Sequence, residues 1–333
     1  MEPVLPTTPF RVEFEVISRC NLKCKYCYAM PFTQKMTPLE DLRYLFRKTK
    51  NEVDPFEIII LGGEPFLRPD IITVLEDAKM IFGKNVGMST NGTLLPNLSD
   101  AEFDRLRAFS GGLPMIQISL DSSDPQINDA LRGGGEMVLK GMSVLDGHNI
   151  PFAAGILPTT NNQHDIARTA RELLNRFDQL KTINIENLQA VKIMTPSEYR
   201  RLLTTGEKRE QLWYEVSSIA KELGRLDVKI TGLEKEYTSN KTMIDRANFT
   251  TCTAGVLRSG VLTDGGVTVC LMVREPIGDL FKESWYDIWS RATRSFRNSR
   301  VNVPQCVYQN VLRRETESAI SAIPEKQRLR MLA

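Results

Sequence analysis

The sequence predicts an α/β fold organised around a wound parallel sheet. Three observations point that way. Six short β-type runs alternate with helical stretches between residues 10 and about 190. Most of those runs are apolar or β-branched throughout, as in strands with both faces covered. The stretches between them are amphipathic, and six β-α repeats in a row imply right-handed crossovers onto one sheet. Six repeats are fewer than the eight that close a full barrel, so an incomplete barrel and an open doubly wound sheet both satisfy the pattern. In either architecture the chemistry belongs on the loops after the strand C-termini.

The first strand is "RVEFEVI" (11–17), followed by the loop "CNLKCKYC" that starts at Cys20. The helical stretch "PLEDLRYLFRKTK" comes next. Thr37 is placed to cap it, Pro38 stands at the first helical position, and Glu40 is spaced to reach back as in a capping box. The second strand, "EIIILGG" (57–63), leads to "PDIITVLEDAKMIF", and the third is "NVGMST" (85–90). "PMIQISLD" (114–121), "PFAAGILP" (151–158) and "KTINIENLQ" (181–189) complete the six, with "EMVLKGMSVLDGHN" helical between the fourth and fifth. After residue 190 a helix at about 207–223 leads to a strand, "LDVKITG", and a polar segment at 234–250. "VLRSGVLTDGGVTVCL" then reads as a β-hairpin turning at Asp264-Gly265, ahead of a helix in "SWYDIWSRATRSFRNS". This divides the chain into a barrel domain (10–232), a small extension (233–310) and a charged, helical tail (311–333).

Composition bounds the function. The chain has 333 residues, 41% hydrophobic and 25% charged, with a formal net charge of +2. Near-neutral charge gives no case for nucleic acid or an anionic membrane as partner. No apolar run approaches the roughly 18 residues that span a bilayer, and the first residues lack the pattern of a secretory signal. The expectation is a cytoplasmic chain whose thiols stay reduced, so its six cysteines point to metal or catalytic work instead of disulfides.

Cys20, Cys24 and Cys27 form a C-x₃-C-x₂-C loop. Three thiolates can hold three irons of a [4Fe–4S] cubane and leave the fourth iron open. A zinc site would need a fourth ligand, and the two histidines, His148 and His164, fall at a helix end and in a loop of the second half of the barrel. A redox pair of Cys24 and Cys27 leaves Cys20 unexplained. Merely buried thiols fit poorly with the polar Asn21, Lys23 and Lys25.

The loop, with the aromatic Tyr26 before its last cysteine, resembles that of the radical S-adenosylmethionine (SAM) enzymes. "GGEP" (Gly62, Gly63, Glu64, Pro65) stands at the second strand end, "STNG" with Ser89 and Asn91 at the third, and "ISLD" with Ser119 before "DALRGG" with Arg132 at the fourth. These resemble, in order, the family's SAM amino-group motif, its polar contacts to ribose and carboxylate, and a serine–arginine pair on SAM. Tyr26 stands where the family packs adenine. Each match has local sense. Paired glycines permit close backbone approach, Glu64 suits an ammonium group, and Arg132 suits a carboxylate gripped at two points.

The resemblance implies a partial (β/α)6 TIM-like barrel with a small C-terminal β-hairpin/helix extension of twitch type. It also implies that SAM chelates the open iron and is cleaved by one electron to a 5′-deoxyadenosyl radical, which abstracts hydrogen from substrate. An external reductant of flavodoxin or ferredoxin type would supply the electron. Cys252, Cys270 and Cys306 resemble the start of a SPASM/twitch domain, and imply one auxiliary [4Fe–4S] cluster whose fourth ligand is missing or is not cysteine. Many SPASM-type enzymes act on peptides, so peptide modification is the leading expectation. A small-molecule dehydrogenase or a cofactor-biosynthesis enzyme is the alternative. The cyclase of molybdenum-cofactor synthesis also has three plus three cysteines, but the glycine-rich tail it carries is replaced here by "RLRMLA". A non-catalytic iron–sulfur or zinc protein that binds a partner is the reading from a different class.

Overall fold

The β-α alternation is realised as one ten-stranded sheet. The computed structural model describes residues 8–83, 85–186, 188, 194–232 and 257–298. Seven strands lie side by side in chain order and all parallel: β1 (Arg11–Glu15), β2 (Glu57–Leu61), β3 (Val86–Thr90), β4 (Ile116–Ser119), β5 (Phe152–Ile156), β6 (Leu180–Ile185) and β7 (Lys229–Thr231). The six expected runs thus become seven strands, because "LDVKITG" pairs with β6. This order, with helices over the sheet, is the α/β partial barrel expected.

Helices α1 (Leu39–Glu52), α2 (Ile71–Phe82), α3 (Asp100–Ser110), α4 (Pro125–Leu131), α5 (Gly135–Gly147), α6 (Ile166–Arg176), α7 (Pro196–Leu202) and α8 (Gly206–Glu222) supply the connections. Each long helix buries an apolar stripe. Leu42, Leu45 and Phe46 of α1 and Val74, Leu75 and Ala78 of α2 join strand residues such as Phe14, Ile58 and Ile60 in one core. Where the sequence offers Ser99 and Glu102, a full capping box starts α3.

The expected capping box at Thr37 does not form. Helix α1 begins at Leu39 without a side-chain cap, and Glu40 instead pairs with Arg43. Thr37 is claimed elsewhere: its Oγ1 donates to Thr263 O at 2.9 Å, and its carbonyl accepts from the buried Arg68 at 2.7 Å. Arg68 also donates to Val16 O at 2.8 Å, which ties the end of β1 to the entry of α1.

The expected hairpin forms, and it joins the same sheet. Strand β8 (Arg258–Val261) runs parallel to β1, with Arg11 opposite Arg258 and Phe14 opposite Val261. Strand β9 (Gly266–Thr268) pairs antiparallel with β8, and β10 (Gly278–Asp279) antiparallel with β9. Helix α9 (Trp285–Asn298) follows, with Trp285 fully buried and its Nε1 donating to Thr49 Oγ1 of α1 at 2.9 Å. β1 is therefore covered on both edges and is central to the sheet. Among the described residues no helix is long and apolar enough to cross a membrane.

Candidate active site

The strand ends of β1 to β6 open onto a cavity of about 770 Å³ that runs into the barrel lumen. Cys20, Cys24 and Cys27, Gly62 and Gly63, Ser89 and Asn91, Ser119 and Arg132 all line it, with Tyr26 beside them. Residues that the sequence scatters over more than a hundred positions are thus brought to one cavity.

The glycines explain how the cysteine loop reaches the sheet. A Cβ on Gly62 would lie 2.5 Å from Ile17 O, and one on Gly63 only 2.2 Å from Arg19 O. Gly63 N donates to Ile17 O and Glu64 N to Arg19 O, each at 2.8 Å, so the turn after β2 docks flat against the turn after β1. Only residues without side chains permit that approach.

Glu64 is placed differently from the expectation. Its carboxylate is buried and does not face the cavity. Thr90 Oγ1 and Phe66 N donate to Oε1 at 2.7 and 3.0 Å, and Asn91 N donates to Oε2 at 2.7 Å. The sequence shows the acid but not these three donors. The side chain fastens the turn after β2 to the end of β3, and burial pushes its carboxyl upward despite them. Pro65, buried, opens the short 3₁₀ turn beside it and likewise lies off the cavity wall.

Asn91 connects the third strand end to the cysteine loop. Its Nδ2 donates to Asn21 Oδ1 at 2.9 Å and points to Cys20 Sγ at 3.8 Å, while Asn21 Nδ2 donates to Thr93 Oγ1 at 2.8 Å. The other side of the loop is pinned by Lys25 N, which donates to Leu131 O at 3.0 Å, and by Cys24 Sγ, 3.8 Å from Arg132 O.

Arg132 lies 5.5 Å from the centre of the Tyr26 ring, and its Nη2 donates to the fully buried Asp121 Oδ1 at 3.3 Å. Its Nε is buried without a hydrogen-bond partner among the described residues. Burial opposes the charge, but Asp121 and Cys24 hold the guanidinium strongly protonated. An orphaned buried donor on a cavity wall suits an incoming carboxylate. Asp121 lies inside the "ISLD" match, so its signal was visible. Glu186, which also lines the cavity with Gln117 Nε2 donating to its Oε1 at 2.8 Å, carried none. Burial pushes the Glu186 carboxyl upward, against the nearby Arg132 charge.

The three thiols of the loop are also pushed up by burial, Cys24 to about 11. Backbone N–H groups already face two of the sulfurs: Leu22 N stands 3.4 Å from Cys20 Sγ, and Ala29 and Met30 serve Cys27. Among the described residues no three acidic, histidine or cysteine side chains converge on a single metal ion. A cubane does not require convergence, because each cysteine ligates a separate iron. Three cavity-facing thiols, two of them with backbone donors on their sulfurs, fit a cluster better than one ion. His148 stacks on Phe103 at the end of α5. Cys270 is buried behind the hairpin, bridged to Val273, and its thiol too is raised by burial. Cys252 and Cys306 lie outside the described residues.

Residues 14–173 match the model of the radical SAM superfamily. A probable GTP 3',8-cyclase of Methanocaldococcus jannaschii is 29% identical over 162 residues, 46% of this chain and 52% of that protein. An AdoMet-dependent heme synthase of Methanosarcina barkeri is 25% identical over 312 residues, 86% of this chain and 84% of that protein. In structure, Streptococcus suis SuiB bound to its precursor peptide SuiA superposes with a TM-score of 0.69 at 17% identity, covering 86% of this chain and 65% of SuiB. Native anSMEcpe with bound AdoMet and Cp18Cys peptide gives 0.65 at 16% identity, covering 90% of this chain and 87% of that one. The chain spans about half of the jannaschii protein's length and 37% of a Microcystis aeruginosa GTP 3',8-cyclase.

Proposed function

From the premise that this chain is a radical SAM enzyme, we propose that Cys20, Cys24 and Cys27 hold a [4Fe–4S] cluster and that the chain modifies a peptide at an unactivated C–H bond. The single observation that supports the cluster is the trio of half-buried thiols lining the same cavity as Ser119 and Arg132. When bound, the cluster and SAM supply one-electron carbon–sulfur cleavage and hydrogen-atom abstraction. The chain's own residues do the placing. Arg132 takes the methionine carboxylate with its free Nε, Asp121 keeps the guanidinium aimed, and Tyr26 packs a flat face for adenine. Ser89 and Asn91 offer polar groups toward the ribose and methionine parts. With the Glu64 carboxylate committed, backbone groups at Gly62 and Gly63 are left to meet the SAM ammonium.

Support for a peptide substrate is the room in the lumen and the fold shared with SuiB and anSMEcpe, whose solved complexes hold peptides. A small-molecule reaction is the second reading. Its support is that curated relatives are named as cyclase of GTP and as heme synthase, the latter aligning along most of the chain. An auxiliary cluster at Cys270 with Cys252 and Cys306 belongs to either reading, as does an external flavodoxin- or ferredoxin-type reductant.

The test is anaerobic reconstitution followed by addition of dithionite and SAM. About four irons per chain are expected for one cubane and about eight for two, together with 5′-deoxyadenosine. A fully loaded sample that never forms 5′-deoxyadenosine overturns the enzyme reading. Mass spectrometry of short peptides encoded beside the gene, against GTP in parallel, separates the two substrate classes.

A further inference from the structure

Side chains that reach the lumen from β4, β6 and β7 form a chain of amides that ends on a carboxylate. Thr231 Oγ1 donates to Asn184 Oδ1 at 3.2 Å, Asn184 Nδ2 to Gln117 Oε1 at 3.3 Å, and Gln117 Nε2 to Glu186 Oε1 at 2.8 Å. Each amide accepts from one neighbour and donates to the next, so the chain fixes both of them. Glu186, ionised, can only accept. Gly155 of β5, opposite Asn184 in the ladder, leaves the space for this contact. A Cβ there would lie 2.8 Å from Gln117 Nε2 and 2.9 Å from Glu186 Oε1.

Charge balance singles out Glu186 on the cavity wall. Arg11 pairs with Glu57 at 2.5 Å, Arg258 stands 3.8 Å from Glu13, and Arg132 bonds the buried Asp121 at 3.3 Å. Those three pairs account for the other acidic and basic side chains that line the cavity. Among the described residues no lysine or arginine comes within ion-pair distance of Glu186, and Gln117 is the one hydrogen-bond donor to its carboxylate. A carboxylate taken from water without a counter-charge is costly. An incoming cation that carries its own N–H donors offsets that cost with a charge-assisted hydrogen bond.

We propose that Glu186 recognises a cationic group of the substrate, an ammonium or a guanidinium that enters the lumen. On a peptide this group is a lysine or arginine side chain, and on a small molecule a free amine or guanidine. The proposal rests on the reading of the chain as a radical SAM enzyme with its substrate in this cavity. In that reading SAM takes the ends of β2, β3 and β4, whereas Glu186 follows β6, with β5 between. The amide chain holds the carboxylate in place before substrate arrives, and Gln117, committed to one oxygen, leaves the other for the cation.

The experiment is equilibrium dialysis of the anaerobically reconstituted, SAM-saturated full chain against matched probes. The peptide arm compares an acetylated, amidated tripeptide with central lysine against its norleucine counterpart, and one with central arginine against its citrulline counterpart. The small-molecule arm compares butylammonium with butanol and butylguanidinium with butylurea. In at least one pair the cation is expected to bind about tenfold or more tightly than its neutral counterpart, as one charged hydrogen bond implies. Glu186→Gln is expected to remove that difference by weakening the cationic member alone. Equal binding within every pair, a preference that survives Glu186→Gln, or no binding by any probe overturns the proposal. A Glu186→Gln chain that loses SAM affinity instead assigns the residue to SAM and overturns it as well. If Glu186→Gln does not load iron, Glu186→Ala is read in the same way. Charge-selective binding of the amines without the tripeptides supports the recognition and overturns the peptide reading. Formation of 5′-deoxyadenosine in the same samples reports on the enzyme reading separately.

Discussion

At the scale of single residues, the site separates groups that touch the cavity from groups that hold its walls. Glu64 belongs to the second kind. Replacing it by Gln puts an amide donor among three donors, and the Glu64→Gln variant should lose about 1–3 kcal/mol of stability in urea unfolding. Arg132 belongs to the first kind. Arg132→Lys keeps the charge but loses the planar fork, and should weaken SAM binding by about tenfold or more, as loss of one charged hydrogen bond implies. Cys24→Ala should lose the barrel cubane, read as about four fewer irons per chain, and with it 5′-deoxyadenosine formation. The sequence shows the candidate residues of the cavity, because three cysteines in eight positions and matching strand ends need no long-range knowledge. It does not show which atoms are spoken for. Glu64 reads as a ligand-binding acid until Thr90, Phe66 and Asn91 are seen donating to it. Thr37 likewise reads as a cap until Thr263, 226 residues away, takes its hydroxyl.

At the scale of elements, close backbone approach does the positioning. Gly63 lets the turn after β2 lie on the cysteine loop, and Gly141 of α5 lets that helix rest on the loop after β3, where a Cβ would lie 2.2 Å from Gly92 O. Neither neighbour is a flexible side chain that can move aside. Gly141→Ala should therefore cost about 1–3 kcal/mol, the usual range for overpacking, with the cluster retained. Gly63→Ala should cost a similar amount and also impair iron loading, since the displaced segment carries Cys20. Iron content measured beside a melting curve distinguishes the two. The strands β1 to β6 were legible from their apolar runs, which mark burial on both faces. The parallel pairing of β8 with β1 was not, because nothing local in "VLRSGVL" says which distant strand it will meet.

At the scale of the whole molecule, the hairpin and α9 are continuous with the barrel. β8 shares a ladder with β1, and Trp285 anchors α9 to α1 through Thr49 and Glu52, whose Oε2 accepts from Trp285 N at 2.6 Å. Trp285→Ala removes a fully buried side chain and should cost about 3–5 kcal/mol. It should lower the midpoint of the barrel and the extension together, as one transition followed by both circular dichroism and tryptophan fluorescence. Two separated transitions would show that the extension unfolds by itself.

The pairing around β1 also has a consequence in time. Glu15 of β1 and Arg274, which donates to it, are 259 residues apart in the chain. A ribosome adding about 5–20 residues per second takes roughly 13–50 s to bridge that interval. Over that interval the first strand lacks the hairpin strand that later pairs with its edge. The edge of β1 that β8 occupies is therefore open during synthesis, and the ladder closes only once the last strands have been made.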